Sequence, residues 1–315
     1  MSFDALLGNR QLKENLLRSL ENGHISHFYL LCGPEGSGKH TLAQLLSAAI
    51  LCQGSGKPCG VCSPCRKVFS GNHPDVITVT DPEHKAVAVK IVRQFREDMF
   101  IRPNESDYKI YLFPQELNIE GQNTLLKILE EPPKHCVIML LSNNPEQLLP
   151  TVRSRCTELT LQPLSEDILR NALKNQFPDA ASEDIAAAIS RSGGFLGQAQ
   201  EILRSGTALP PQTEAFASAF AAGDALALTQ TLVGMEKYKR EQMIATLQQW
   251  LELTQSALAC RSGAAAAIPA ARDMAARRSP RDLMRATQCL QKCIEYALGN
   301  VSCAAICGYL AWELR

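Results

Sequence analysis

Gly33-Pro34-Glu35-Gly36-Ser37-Gly38-Lys39-His40 is the stretch on which the reading of this chain turns. It fits G-x-x-x-x-G-K, in which glycines let backbone N–H groups close around phosphate oxygens and the lysine supplies a point charge. The residue after that lysine normally carries a hydroxyl that holds Mg²⁺. Here it is His40, and Thr41 brings a hydroxyl one position late. Gly33, Gly36, Gly38, Lys39 and Thr41 are therefore the candidate phosphate- or nucleotide-binding residues. The implied ligand is ATP or phosphate, on a loop whose metal chemistry is incomplete.

The surroundings are those a phosphate loop requires. His27–Cys32 reads as a short buried strand, and Thr41–Leu46 opens a helix. Helical periodicity covers residues 9–22 and stops at Gly23. Further strands are predicted at 75–79, 109–113, 137–141 and 158–161, with helices near 88–97 and 120–131. Strands alternating with helices imply a parallel sheet covered on both faces. This α/β domain is expected to span 1–164. Beyond Ser165 the strands fade. Helices near 165–175, 181–191 and 196–203 are read as a small helical lid, 165–207. Ser205–Pro211, with Gly206, Pro210 and Pro211, reads as a linker. The alanine- and leucine-rich remainder, 208–315, is predicted to be an all-α domain.

Bulk composition narrows the function. Thirty-two basic and thirty-two acidic residues cancel. Strong nucleic-acid binders tend to carry a basic excess, so any DNA contact must be local or shared with partners. No apolar run approaches a membrane span, and Met-Ser-Phe-Asp does not begin a secretory signal. Twelve cysteines in a long chain without such a signal suit a reduced, cytoplasmic setting.

Four of those cysteines carry a message. Cys52, Cys59, Cys62 and Cys65 follow C-x6-C-x2-C-x2-C, with Pro58 and Gly60 supplying turns. Four thiolates at that spacing can close a tetrahedral structural zinc site with no position for substrate. Free buried thiols are the plainer alternative. A redox pair fits less well, because one C-x-x-C runs directly into the next. Cys289 and Cys293, at helical spacing, read as core residues.

A loop-type hydrolase also needs an acidic pair at the end of a core strand, to hold metal and orient water. The strand Lys109–Phe113 ends in Leu112-Phe113 instead, and Glu116 lies beyond Pro114. With His40, two separate metal features are missing, so no intrinsic ATPase activity is expected.

Three further segments bring a family into view. Asn123–Pro133 reads NTLLKILEEPP, Asn144–Arg153 reads NPEQLLPTVR, and Ser154-Arg155-Cys156 follows directly. Together with the four-cysteine insertion, residues 5–205 resemble the delta-prime subunits of the bacterial DNA polymerase III clamp loader, in the AAA+ family. The gamma/tau motor subunits share these elements but are expected to keep the hydroxyl and the acidic pair. The resemblance implies a heteropentameric loader that opens a sliding clamp and places it on primed DNA during replication. Its other members would be gamma/tau motor subunits and a delta subunit. It further implies that the α/β domain 1–164 is RecA-like, that Arg155 acts in trans, as an arginine finger in a neighbour's ATP site, that Cys52, Cys59, Cys62 and Cys65 hold zinc, and that 208–315 is an oligomerisation domain packed into a collar.

Other positions admit two readings. Arg153 could assist Arg155 or sit in solvent. Ser142-Asn143-Asn144 could be a remnant phosphate sensor or a turn cap. Gln198 replaces a nucleotide-reading arginine or simply begins a helix. Lys127, and the stretch Arg272, Arg277, Arg278, Arg281 and Arg285, could touch nucleic acid or partners, or be solvated. Three rival functions remain at this level: a competent motor, a nucleotide-holding scaffold, and a stand-alone zinc-stabilised DNA-binding module.

Overall fold

The computed structural model describes residues 3–84, 86–205, 209–262 and 268–314. Contacts divide the chain into two units, Met1–Pro178 with Ser192–Glu201, and Asp179–Arg191 with Ile202–Arg315.

The first unit is built on five parallel strands, β1 (Phe28–Cys32), β2 (Val76–Thr78), β3 (Lys109–Phe113), β4 (Cys136–Ser142) and β5 (Thr157–Thr160), in the order β2-β3-β4-β1-β5. Central β1 and β4 are buried along their whole length, whereas edge strands β2 and β5 are mostly half-buried or exposed. Continuous apolar runs belong in the middle of a parallel sheet, because helices cover both faces. The two-residue period then sorts each strand between two cores. Tyr29, Leu31, Val137, Met139 and Leu141 enter one. Phe28, Leu30, Ile138, Leu140 and Phe113 enter the other.

Helices α1 (Arg10–Glu21), α2 (Lys39–Leu51), α3 (Ser63–Phe69), α4 (Val89–Asp98), α5 (Ile119–Glu130) and α6 (Pro150–Arg153) connect or flank the strands. α2 buries ten side chains, among them Leu42, Leu45 and Leu46, so it is apolar almost all round. The segment read as a lid contains α7 (Glu166–Gln176), α8 (Ser182–Arg191) and α9 (Leu196–Ser205). α7 belongs to the first unit and α8 to the second; α9 begins in the first and ends in the second.

The second unit is helical throughout its described residues. It continues with α10 (Pro211–Ala222), α11 (Ala225–Met235), α12 (Arg240–Arg261), α13 (Pro269–Arg277), α14 (Pro280–Leu298) and α15 (Cys303–Glu313). Part of the predicted linker, 206–208, lies outside the described residues, and Pro211 opens α10, a position where its missing N–H costs nothing. Trp250 stacks on Phe216 at 4.0 Å in one continuous core that also takes in Cys289 and Cys293. No helix among the described residues is long and apolar enough to cross a membrane.

Candidate functional site

The glycine loop joins β1 to α2, as its strand–loop–helix pattern requires. Gly38, at φ 98°, forms the N-cap of α2, and Gly36 stands at φ 75°, a region that side chains disfavour. Gly36 also has a neighbour on its open side. The N–H of Gly197 donates to Gly36 O at 3.0 Å. A Cβ on Gly36 would lie 2.5 Å from the Gln198 nitrogen. The start of α9 therefore rests on the loop through the backbone of Gly197, with the Gln198 nitrogen close behind it.

Lys39 is the decisive side chain. It is only 8% exposed, and its ammonium donates to Gly33 O at 2.5 Å, Pro34 O at 2.8 Å and Asn143 Oδ1 at 2.8 Å. All three of its donors meet acceptors of its own chain. Burial, ahead of the opposing carboxylates Glu35 and Glu116, holds its pKa below the usual lysine range. Of the two readings of Ser142–Asn144, the turn cap is present at Asn144. Asn143 is the lysine's partner, while Asn144 Oδ1 caps the following turn by accepting from Glu146 N at 3.0 Å.

A cavity of about 710 Å³ opens beside the loop, lined among others by Glu35, Gly36, Lys39, Thr41 and Gln200. That volume suits a small ligand, and Ser37 Oγ is buried in the loop without a hydrogen-bond partner. The donor set for Mg²⁺ does not fit. Leu112 faces a second cavity with His40 and Thr41, and Phe113 is buried against Phe95, ring centroids 5.1 Å apart. Glu116 lines a separate recess with Leu117 and Gln122. Burial and then the charge of Lys39 hold the His40 pKa below its ordinary value, which disfavours the charged ring.

The four cysteines converge. Cys52 directly follows the last residue of α2, and Cys65 lies in α3, a helix the spacing did not reveal. The four Sγ atoms lie within 4.8 Å of one another, with Cys59–Cys65 and Cys52–Cys62 each at 4.0 Å. A tetrahedron with metal–sulfur bonds of ~2.3 Å has sulfur–sulfur edges of nearly this length. The N–H groups of Gly54 and Cys59 point at Cys52 Sγ, each at 3.4 Å, which favours a thiolate. Backbone donation from Cys62 and Val61 holds the Cys59 thiol down to about 6. The residues fit a metal of the zinc type.

Arg155 stands on a different part of the sheet. The Ser-Arg-Cys triplet leads directly into Thr157, the first residue of β5, whereas the glycine loop leaves the last residue of β1. Since β1 and β5 are parallel neighbours, with Tyr29 opposite Thr157 and Cys32 opposite Thr160, loop and triplet occupy opposite edges. Arg155 is exposed. Its Nη1 donates to Thr151 O at 2.9 Å, and its nearest carboxylate, Glu130, is 3.8 Å away. That contact joins the Leu-Glu-Glu-Pro-Pro run to the triplet.

Arg153 is placed otherwise, with carboxylates at 2.8 and 3.0 Å from Glu146 and Glu158. Gln122, absent from the sequence-based candidates, is 2% exposed. It accepts from Leu149 N at 2.7 Å and donates to Gln147 O at 3.2 Å, tying this turn to α5. Only its place before the Leu-Leu-Lys run could have signalled it. Lys127 is exposed on α5. In the second unit Arg277 pairs with Asp273, Arg285 with Glu313, and Arg278 donates to Phe220 O. These three arginines of the basic stretch thus face their own chain.

A family model described as DNA polymerase III, delta subunit, matches residues 8–165, half of the chain. The DNA polymerase III delta' subunit of Bacillus subtilis is 34% identical over 164 residues, covering 51% of this chain and 50% of that protein. The tau subunit of Escherichia coli is 30% identical over 239 residues, 74% of this chain and 35% of that one. The chain thus spans between about a third and a half of the length of these curated relatives. A DNA polymerase III gamma subunit-related protein of Thermotoga maritima aligns over 97% of this chain and all of its own, at 14% identity and TM-score 0.44, a likeness too loose to carry weight. On the span and description of the matching family model, the chain belongs to the DNA polymerase III delta-subunit family, among the clamp-loader proteins.

Proposed function

We propose that this chain is the delta-prime-type subunit of a DNA polymerase III clamp loader. It performs no hydrolysis of its own and supplies Arg155 to the ATP site of a neighbouring gamma/tau-type motor subunit. The supporting observation is the separation of loop and triplet along the sheet. β5 alone, at four residues, measures ~13 Å, more than an arginine side chain reaches. A guanidinium facing away from its own loop serves phosphates held by another chain. In a dry interface it would neutralise charge developing on the γ-phosphate, an effect of ~10³–10⁵ for arginine fingers elsewhere.

The remaining assignments follow from this reading. Residues 1–164 form the ATPase-type domain, 165–207 a lid, and 208–315 the collar through which the subunit joins a heteropentamer with motor and delta subunits. The ring loads a sliding clamp on primed DNA in the cytoplasm. Cys52, Cys59, Cys62 and Cys65 would hold one zinc, which is structural because four thiolates leave no position for substrate.

The test is reconstitution of the loader from motor subunits, delta subunit and this chain, with ATPase activity measured in the presence of clamp and primed DNA. Replacing Arg155 by Ala in an assembled ring is expected to remove most of the stimulated rate. Equal rates with both chains would take Arg155 out of the chemistry. A second reading, a subunit that holds nucleotide without cleaving it, is favoured by the buried, unpartnered Ser37 Oγ. ATP titration of the isolated chain with and without Mg²⁺, repeated on Lys39→Ala, separates it from the first.

A further inference from the structure

We infer that Arg153 is a positioning residue for Arg155, a brace that fixes the turn from which the second arginine projects. This rests on the reading of Arg155 as a residue acting in trans. α6 has four residues, far too few to hold its own shape. Its fixity must come from outside. On the inner side Val152 is fully buried, and Gln122 grips the backbone of Leu149 and Gln147. On the outer side only Arg153 among the described residues crosses the turn with ion pairs to both flanks. Its Nη1 donates to Glu146 Oε1 at 2.8 Å, before α6, and its Nε to Glu158 Oε2 at 3.0 Å, on β5 after it. Glu158 is itself anchored, since its other oxygen accepts from Thr160 Oγ1 at 3.2 Å.

Two arginines two residues apart are therefore in opposite states. Arg153 presents its fork to two carboxylates of its own chain, at full hydrogen-bonding distance. Arg155 meets one backbone carbonyl, and its nearest carboxylate lies beyond hydrogen-bond length. A second finger at Arg153 would have to leave both carboxylates. A brace need not move. Single surface ion pairs contribute little to stability, but a fork held at both ends restricts geometry. Misplacement of a catalytic group by ~1 Å can lower a rate by ~10²-fold.

The experiment uses the reconstituted loader and compares Arg153→Ala, the double variant Glu146→Gln/Glu158→Gln, Arg155→Ala, and Arg153→Ala/Arg155→Ala. Maximal stimulated ATPase rate and the chain concentration giving half of it are both measured. Arg153→Ala and the double glutamine variant are each expected to lower the maximal rate roughly tenfold. The half-saturating concentration should stay within about twofold, and Arg153→Lys should recover part of the rate. In the Arg155→Ala background, Arg153→Ala should cost nothing more, because the brace acts only through Arg155. A fall with Arg153→Ala but none with the glutamine pair would overturn the inference in favour of a second finger. An additional loss in the Arg155→Ala background, or no loss from Arg153→Ala alone, would overturn it as well. If Arg155→Ala itself has no effect, the reading of Arg155 fails, and the brace with it.

Discussion

Lys39 and Arg155 are both cations suited to phosphate, and the fold treats them in opposite ways. Lys39 is buried at the carboxyl edge of the sheet, where two loop carbonyls and Asn143 accept from its ammonium. Arg155 is exposed at the amino edge, on one backbone carbonyl and at 3.8 Å from a carboxylate. A cation whose donors are satisfied internally must break those bonds before it serves a ligand. One left partly open needs only a partner. The difference teaches that the motif best known for binding phosphate is here the inward-facing one, while the cation with donors left open lies outside it.

The sharpest way to break this comparison is to remove each cation in turn from an assembled loader. Arg155→Ala is expected to lower the stimulated ATPase rate by ~10²–10³-fold. Lys39→Ala should leave it within about twofold, since a site lacking its metal ligands contributes no turnover. A comparable loss from both would erase the distinction.

Metal removal comes next. Cys52 adjoins the end of α2, whose first residue is Lys39, so the cysteine module anchors the helix of the loop and not the arginine turn. Chelation is expected to lower the melting temperature by ~10 °C. Hydrogen exchange should rise in 39–51 well before 149–156. One zinc per chain by elemental analysis would accompany this, and equal exchange in both segments would contradict it.

A smaller effect is expected from Gly36→Ala. The added Cβ meets the Gln198 nitrogen at 2.5 Å and the Gly197 carbonyl carbon at 2.9 Å, at a φ of 75°. The cost should be about 2 kcal/mol in urea unfolding, with little change in the stimulated rate of the assembled ring. The smallest effect belongs to His40→Ser, which restores a hydroxyl beside Lys39. Leu112 and Phe113 still provide no carboxylate. Mg-dependent ATP turnover by the isolated chain should therefore remain at background, and a clear gain would reopen the motor reading.

Legibility in the sequence followed the length and regularity of each signal. Lys109–Phe113 matches its predicted bounds because a charged start and a proline just past its end frame five apolar-rich residues. The helix Ser63–Phe69 escaped because seven residues among metal-spaced cysteines show turn chemistry and scarcely two periods of helix. α6 escaped for the same reason of length. The four cysteines were readable because their geometry is local, all within fourteen residues. Glu146 and Glu158 gave no signal, since isolated acidic residues are ordinary on any surface, and Asn143 was legible as a sensor or cap position but not as the partner of Lys39.

By itself the sequence determined what depends on near neighbours: the strand–loop–helix around Lys39, the cysteine spacing, the missing acidic pair, and the family through its contiguous motifs. Only the tertiary structure decided the fate of each charge. Asn143 stands 104 positions from Lys39 in the chain, yet the pairing of β4 with β1 brings it within 2.8 Å. Parallel pairing of β1 with β5 likewise sends the loop and Arg155 to opposite edges. Hydrogen bonds and ion pairs act over a few ångströms in space, and no spacing rule along a chain records which distant strands will become neighbours.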